Sequence, residues 1–197
     1  MSDRDLPPSS DAARWDARHR ARSGPRTPSA LLRSLDALLP RGQAGHSPPC
    51  ALDAAGGPGH DAIWLAERGL DVTLADVSPV ALAQAREAAA AAGVSLHLVQ
   101  VDLERAPLPA GPFDLVVVLN FLWRPLLAAI PAVLAPGGLF VYLQPTRTNL
   151  ERNPSPSARF LLDDGELPRL VTGLTVIRFE EGWLDGRHEA RLVARKA

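Results

Sequence analysis

The sequence predicts an α/β protein: a doubly wound, mostly parallel seven-stranded sheet that ends in an antiparallel β-hairpin and is preceded by N-terminal helices. Three observations carry this. Apolar runs of strand length alternate with helical patterns from Cys50 onward, as a parallel sheet covered by helices requires. The run FDLVVVLN is apolar at nearly every position, the mark of a strand buried on both faces. Finally, two segments near the end alternate apolar and polar residues around Asp185-Gly186, a turn pair suited to a hairpin.

The elements follow in order. SDAARWDARHRAR and SALLRSLDALLP read as two helices joined by a turn at Gly24-Pro25, and RGQAGHSPP links them to the first strand, CALDAA at 50–55. A helix through DAIWLAERG closes at Gly69, the second strand is DVTLAD at 71–76, and a helix follows with Ser78 as N-cap, Pro79 as its first residue and Gly93 as its stop. The third strand is expected over 94–102, the fourth over 113–120, a helix from about Pro125 to Leu134, and the fifth strand over 138–145. A polar, Pro-containing loop then runs to a short helix at 165–172, and the strands at 174–183 and 187–196 form the hairpin. Residues 1–49 are expected to form a helical cap and linker, and 50–197 the ligand-binding domain.

At 197 residues, 46% hydrophobic and 22% charged, the chain has the composition of one globular domain with decorations. The 21 basic and 22 acidic residues leave a formal charge of -1, so no overall field would hold a nucleic-acid backbone or an anionic membrane. No run approaches the roughly 20 apolar residues of a membrane helix. The N-terminal segment lacks the apolar stretch of a secretory leader. Cys50 is the only cysteine, which excludes an internal disulfide and points to a reducing, cytoplasmic setting. No histidine pair has zinc-helix spacing, so no metal is expected. Lysine occurs once, at Lys196, against many arginines, which reads as codon bias.

Chemistry concentrates at the first strand–helix junction, where Gly56, Gly57 and Gly59 bridge strand and helix in ALDAAGGPGHDAIWLAERG. Such a turn lets a ligand approach the backbone and the free N–H groups of the helix start. Gly57-x-Gly59-x-x-Ala62, with Asp76 ending the second strand, also fits a loose dinucleotide fingerprint, so an NAD(P)-binding oxidoreductase is one reading. Asp53 weighs against it, because a carboxylate beside the turn repels a pyrophosphate and attracts a ligand bearing an ammonium and a sulfonium. S-adenosylmethionine has that charge pattern, with ribose hydroxyls for Asp76 and an adenine amine for Asp102, which ends the third strand. The plainer alternative makes these acids helix caps or solvated strand ends.

These features, with RWDARHR, LDAAGGPG, NFLWRP and NPSPSARFLLDDGEL, resemble class I S-adenosylmethionine-dependent methyltransferases, most narrowly the small tellurite-resistance (TehB-like) branch. The resemblance implies a Rossmann-like methyltransferase fold with S-adenosylmethionine as cofactor. It implies that Asp53, Ala54, Ala55, Gly57 and Gly59 surround the methionine part, that Asp76 and Val77 hold the ribose, and that Asp102 and Leu103 flank the adenine, with Asn120 completing the site. The chain departs from the branch at three of these motifs. Gly56 replaces the usual cysteine, Trp123 replaces a histidine beside the retained Arg124, and His19 replaces a tyrosine.

The expected catalytic residues are Arg124, to hold an anionic acceptor, and Trp123, as an aromatic wall; Trp15 and His19 are expected in the substrate pocket. His19 and His60 are the histidines placed to stand in for a missing base, with packing as the plainer role of each. Trp64 and His97 are expected in the core or on the sheet face, and Cys50 as an inert buried thiol. The acceptor is expected to be a small molecule, with a thiol or chalcogen anion favoured because it needs little deprotonation. The loop at 146–162 and the N-terminal helices should cover it, with Arg147, Arg152 and Arg159 either reading an anion or solvated. A catalytically inactive cofactor-binding module remains open beside the oxidoreductase, as does a monomer or a homodimer.

Overall fold

The computed structural model describes residues 10–21, 27–42 and 45–197; the expected Gly24-Pro25 turn lies outside them. Its strands are β1 (Cys50–Ala54), β2 (Asp71–Asp76), β3 (His97–Gln100), β4 (Phe113–Leu119), β5 (Leu134–Pro145), β6 (Thr175–Leu184) and β7 (Arg187–Arg195). They form one seven-stranded sheet in the order β3-β2-β1-β4-β5-β7-β6. The first five strands are parallel, and β7 inserts antiparallel between β5 and β6. The hairpin turns through Asp185 and Gly186 at φ 49° and 83°, both left-handed, as the pair of turn residues suggested.

The helices are α1 (Ser10–Ala21), α2 (Ala30–Ser34), α3 (His60–Ala66), α4 (Pro79–Ala91), α5 (Arg124–Val133) and α6 (Leu167–Leu170). Side-chain alternation along β4 assigns them to two faces. Val116 and Val118 pack with Phe140, Tyr142 and the α5 residues Leu126, Leu127 and Ile130. Leu115 and Val117 pack with Leu31, Leu32 and Leu35 around α2, and with Trp64, Leu65, Leu82 and Ala85 from α3 and α4. Trp64 is core, as expected, with the Arg68 guanidinium 3.6 Å above its ring. Ser78 caps α4 by accepting from the Ala81 amide, and Gly93 ends it at φ 71°.

Three elements differ from expectation. The helix expected over 29–40 is helical only to Ser34, then continues in tight turns that still bury Leu35 and Leu39. The third strand is only His97–Gln100, because an edge strand has one neighbour to order it; His97 is exposed there and its Nε2 lies 2.8 Å from Asp71 Oδ1. Asp102 thus sits two residues beyond the strand, and its Oδ1 accepts from the Glu104 amide at 3.1 Å. The fifth strand starts early, directly after α5, with Leu134 paired to Phe113 across a register shift.

Candidate active site

The site lies where the parallel strands end. Just before the glycine turn, β1 places Asp53, 2% exposed, with one hydrogen bond from the Ala62 amide at the start of α3. Its Oδ2 has no hydrogen-bond partner among the described residues. Burial, then the nearby carboxylates of Asp61 and Asp76, push its pKa well above the ordinary 3.8. Gly56 makes this rotamer possible, since a Cβ there would collide with Asp53 Oδ2 and Leu74 Cδ1. Any side chain at Gly56 would therefore force Asp53 or Leu74 to move.

Asp76 ends β2 with both oxygens in use: Oδ2 accepts from the Gly57 amide and Oδ1 from the Ser78 amide, each at 2.8 Å. Burial pushes this carboxyl up as well, against the pull of those amides. Gly57, at φ 57°, is where the turn needs a left-handed residue, and a Cβ there would stand 3.2 Å from His19 Cε1. His19 is held over the turn because α1 is latched to α4. Asp16 accepts from Ser78 Oγ at 2.5 Å and Gln84 donates to the His19 carbonyl at 3.4 Å.

A cleft of about 460 Å³ collects these groups. Of the expected cofactor residues, Asp53, Ala55, Gly57, Asp76, Val77, Asp102, Leu103 and Asn120 line it, with Trp15 and His19 from the expected substrate pocket and also His60. Ala54 and Gly59 are not among the lining residues. Ala54 is fully buried in the core, and Gly59 packs so that a Cβ would meet Ala85 Cβ and Leu74 Cδ2 at 3.0 Å. Both support the site from behind.

Trp123 and Arg124 are likewise absent from the lining. Trp123 is exposed at the α5 N-terminus, and Arg124 makes a two-pronged pair with Glu166, Nε to Oε1 at 2.6 Å and Nη2 to Oε2 at 2.7 Å. That pair raises the guanidinium and lowers the carboxyl, the mutual shift of a salt bridge joining α5 to α6. Arg147 pairs with Asp163, while Arg152 and Arg159 lie over the rings of Trp183 and Phe160 at 4.0 and 4.3 Å. Cys50 is half-buried, and burial pushes its thiol pKa up, away from the reactive thiolate.

Several lining residues were not expected at the site: Asp61 and Phe160, which lie within quoted motif stretches, and Gln144 and Arg187, which lie in none. Asp61 lay next to the glycine turn and was legible as an acid at a helix start. Gln144 and Arg187 reach the site only through sheet pairing, which no local pattern announces. Asn120 carries a signal visible only in three dimensions, a non-glycine residue at φ 59°.

The donor set fits S-adenosylmethionine. Asp53, Asp61, Asp76, Asp102 and Glu104 face the cleft against the guanidinium groups of Arg18 and Arg187, so its cofactor end attracts a cationic ligand and repels a pyrophosphate. The orphaned Asp53 oxygen adds a buried acceptor ready for a donor. The doubly wound sheet carries an antiparallel strand inserted between β5 and β6, with the acid-rimmed crevice at the ends of its parallel strands.

The comparisons agree. Residues 51–138 match the family described as methyltransferase domain. The demethylmenaquinone methyltransferase of Thermus thermophilus is 38% identical over 105 residues, 50% of this chain and 48% of that protein. The tRNA 5-carboxymethoxyuridine methyltransferase of Escherichia coli is 36% identical over 119 residues, 55% of this chain and 44% of that protein. The matched stretch is thus less than half of either relative. The crystal structure of a TehB-like SAM-dependent methyltransferase from Corynebacterium glutamicum shares the fold at a TM-score of 0.64 and 23% identity, over 95% of this chain and 96% of that one. The chain is thus similar to methyltransferases over its first parallel strands and the helices between them, and its fold is close to that of the TehB-like structure.

Proposed function

We propose that this chain transfers the methyl group of S-adenosylmethionine to a small cytoplasmic acceptor bound beside the cofactor. The observation that carries this reading is the convergence on one cleft of Asp53 and Asp76 from two strand ends and Asp102 from the turn after β3, with a buried Asp53 oxygen left for a donor. The unpaired Cys50 supports a reducing compartment. The acidic lining argues for a small acceptor over a nucleic acid, since phosphates would meet carboxylates before any base reached the site.

When bound, S-adenosylmethionine supplies an already activated methyl group on a cationic sulfur. Asp53 holds the ammonium of the methionine part, Asp76 the ribose hydroxyls, and Asp102 with Leu103 the adenine. His19 and His60, both on the cleft, are the groups able to accept a proton from the acceptor. A soft acceptor such as a thiol needs that help least. Trp15 and Phe160, bridged by the Arg14 guanidinium at 5.7 and 5.3 Å from their ring centres, close the mouth and exclude water.

The test is calorimetric titration with S-adenosylhomocysteine, with NAD as comparison. Micromolar binding of the first alone is expected, and Asp76→Ala should weaken it by about 100-fold, the scale of losing a charged hydrogen-bonding group. Equal binding by that variant would refute the placement of the cofactor, and preference for NAD would refute the reading.

A further inference from the structure

The end of the cleft farthest along the sheet from β3 is built by β4, β5, β7 and the 155–160 loop, and two polar groups there keep capacity that the fold itself does not use. Gln144, near the end of β5, lines the cleft and is 2% exposed. Its Nε2 donates to the Phe160 carbonyl, and because a carbonyl only accepts, that bond fixes which end of the amide is nitrogen. Gln144 Oε1 is left with no partner among the described residues. A buried amide oxygen without a donor is costly, and at the wall of a cleft a ligand's N–H, O–H or S–H removes that cost.

Arg187, the first residue of β7, lines the same end. Its Nη1 donates to Asn120 Oδ1 at 3.0 Å and its Nη2 to Glu189 Oε2 at 2.7 Å. Glu189 is 1% exposed, and its other oxygen accepts from Arg191 Nε, also at 2.7 Å, so the carboxylate is locked in place. The left-handed backbone of Asn120 aims its amide at the guanidinium. Arg187 is therefore held at two points before any ligand arrives, with further N–H donors remaining in the guanidinium fork. The acids Asp53, Asp61, Asp76 and Asp102 lie around the opposite end, so an anionic group entering the cleft is driven toward Arg187.

We propose that Gln144 and Arg187 form the acceptor subsite, and that the acceptor is a small molecule with a carboxylate for Arg187 and a hydrogen-bond donor for Gln144 Oε1. This rests on the methyl-transfer reading, and it places at Arg187 the anion recognition that the sequence assigned to Arg124.

The experiment titrates protein saturated with S-adenosylhomocysteine against three probes: mercaptoacetate, with both groups; acetate, with the carboxylate alone; and 2-mercaptoethanol, with the donors alone. Mercaptoacetate should bind at least about tenfold tighter than either. Arg187→Gln should erase its advantage over 2-mercaptoethanol, and Gln144→Leu its advantage over acetate, while both variants bind S-adenosylhomocysteine within about twofold of wild type. Gln144→Glu guards against a displaced loop: it keeps an accepting oxygen, so 2-mercaptoethanol should still bind while both carboxylates are rejected. Equal binding of the three probes, or variants that leave the preferences unchanged, would overturn the subsite. So would a tenfold change in S-adenosylhomocysteine affinity in Arg187→Gln, which would give Arg187 to the cofactor. Failure of wild type to bind S-adenosylhomocysteine would instead sink the methyl-transfer reading beneath it.

Discussion

The two halves of the cleft are made in different ways. At the half proposed for the cofactor, Asp53, Gly57 and Asp76 lie within one β-turn-α unit and the end of the next strand, and Asp76 fixes the turn through the Gly57 amide. At the acceptor half, Gln144 meets Phe160 across 16 positions and Arg187 meets Asn120 across 67. The first half is held by local turn chemistry, which a fold can keep whatever is methylated. The second depends on long-range pairing of β4, β5 and β7, so single residues there can change without disturbing the sheet.

The largest effect that would test this division is at Asp53. Asp53→Asn should lower S-adenosylhomocysteine affinity by about 100-fold, because the ligand's ammonium loses its buried counter-charge. The apo protein should not lose stability with it. An acid whose folded pKa is raised contributes stability in full below its ordinary 3.8, and that contribution is lost as pH rises through the raised value. Above that ordinary value burial of the carboxyl thus works against the fold, and the asparagine, which has no charge to bury, should melt at the same temperature or higher at neutral pH. A variant that melted lower and bound normally would make Asp53 a structural acid.

The same linkage predicts pH dependence. Binding a cation requires the ionised form, so the raised pKa of Asp53 makes cofactor binding release a proton. Affinity should rise with pH toward neutrality, by up to about tenfold per unit while Asp53 remains protonated in the free protein, and the slope should flatten in Asp53→Asn, leaving what Asp76 contributes. Calorimetry in buffers of different ionisation enthalpy measures the released proton directly. A flat profile in wild type would mean that another group meets the ammonium.

What was legible in the sequence follows the same division. The fold was readable because each parallel strand is a compact apolar run, with β4 central as its unbroken Val-Leu pattern implied and the hairpin marked by Asp185-Gly186. Errors fell where neighbours decide: the edge strand β3 stops at Gln100, and α2 gives way to turns after Ser34. Strand-end acids and the glycine turn pointed to the part of the cleft that Asp53, Gly57, Asp76 and Asp102 line. The acceptor half was sought at Trp123 and Arg124, adjacent in sequence to the fourth strand, whereas Gln144 and Arg187 line the cleft because their strands flank one another. No helical or strand periodicity encodes that adjacency.

The α1 latch should show a smaller effect. Asp16 accepts from Ser78 Oγ, and the Ser78 amide binds Asp76, so the N-terminal helix is two hydrogen bonds from the acid proposed to hold the ribose. Asp16→Ala should weaken S-adenosylhomocysteine by about three- to tenfold, the scale of one hydrogen bond to a charged group, and speed hydrogen exchange in α1. Unchanged binding would reduce α1 to a lid over the acceptor alone.

The smallest effect is expected at Arg124, and it decides whether adjacency in sequence or in space defines the acceptor half. Its guanidinium is 40% exposed and paired with Glu166, so solvent screens much of the attraction and the pair is worth roughly 0.5–1 kcal/mol. Arg124→Gln should lower the melting temperature by only about 1–4 °C for a domain of this size, by loosening α5 from α6. Cofactor affinity and the preference for mercaptoacetate should both stay as in wild type, because the side chain does not line the cleft. Loss of the preference in Arg124→Gln, with Arg187→Gln unaffected, would return anion recognition to the fourth strand's end and leave Arg187 as a brace for the hairpin.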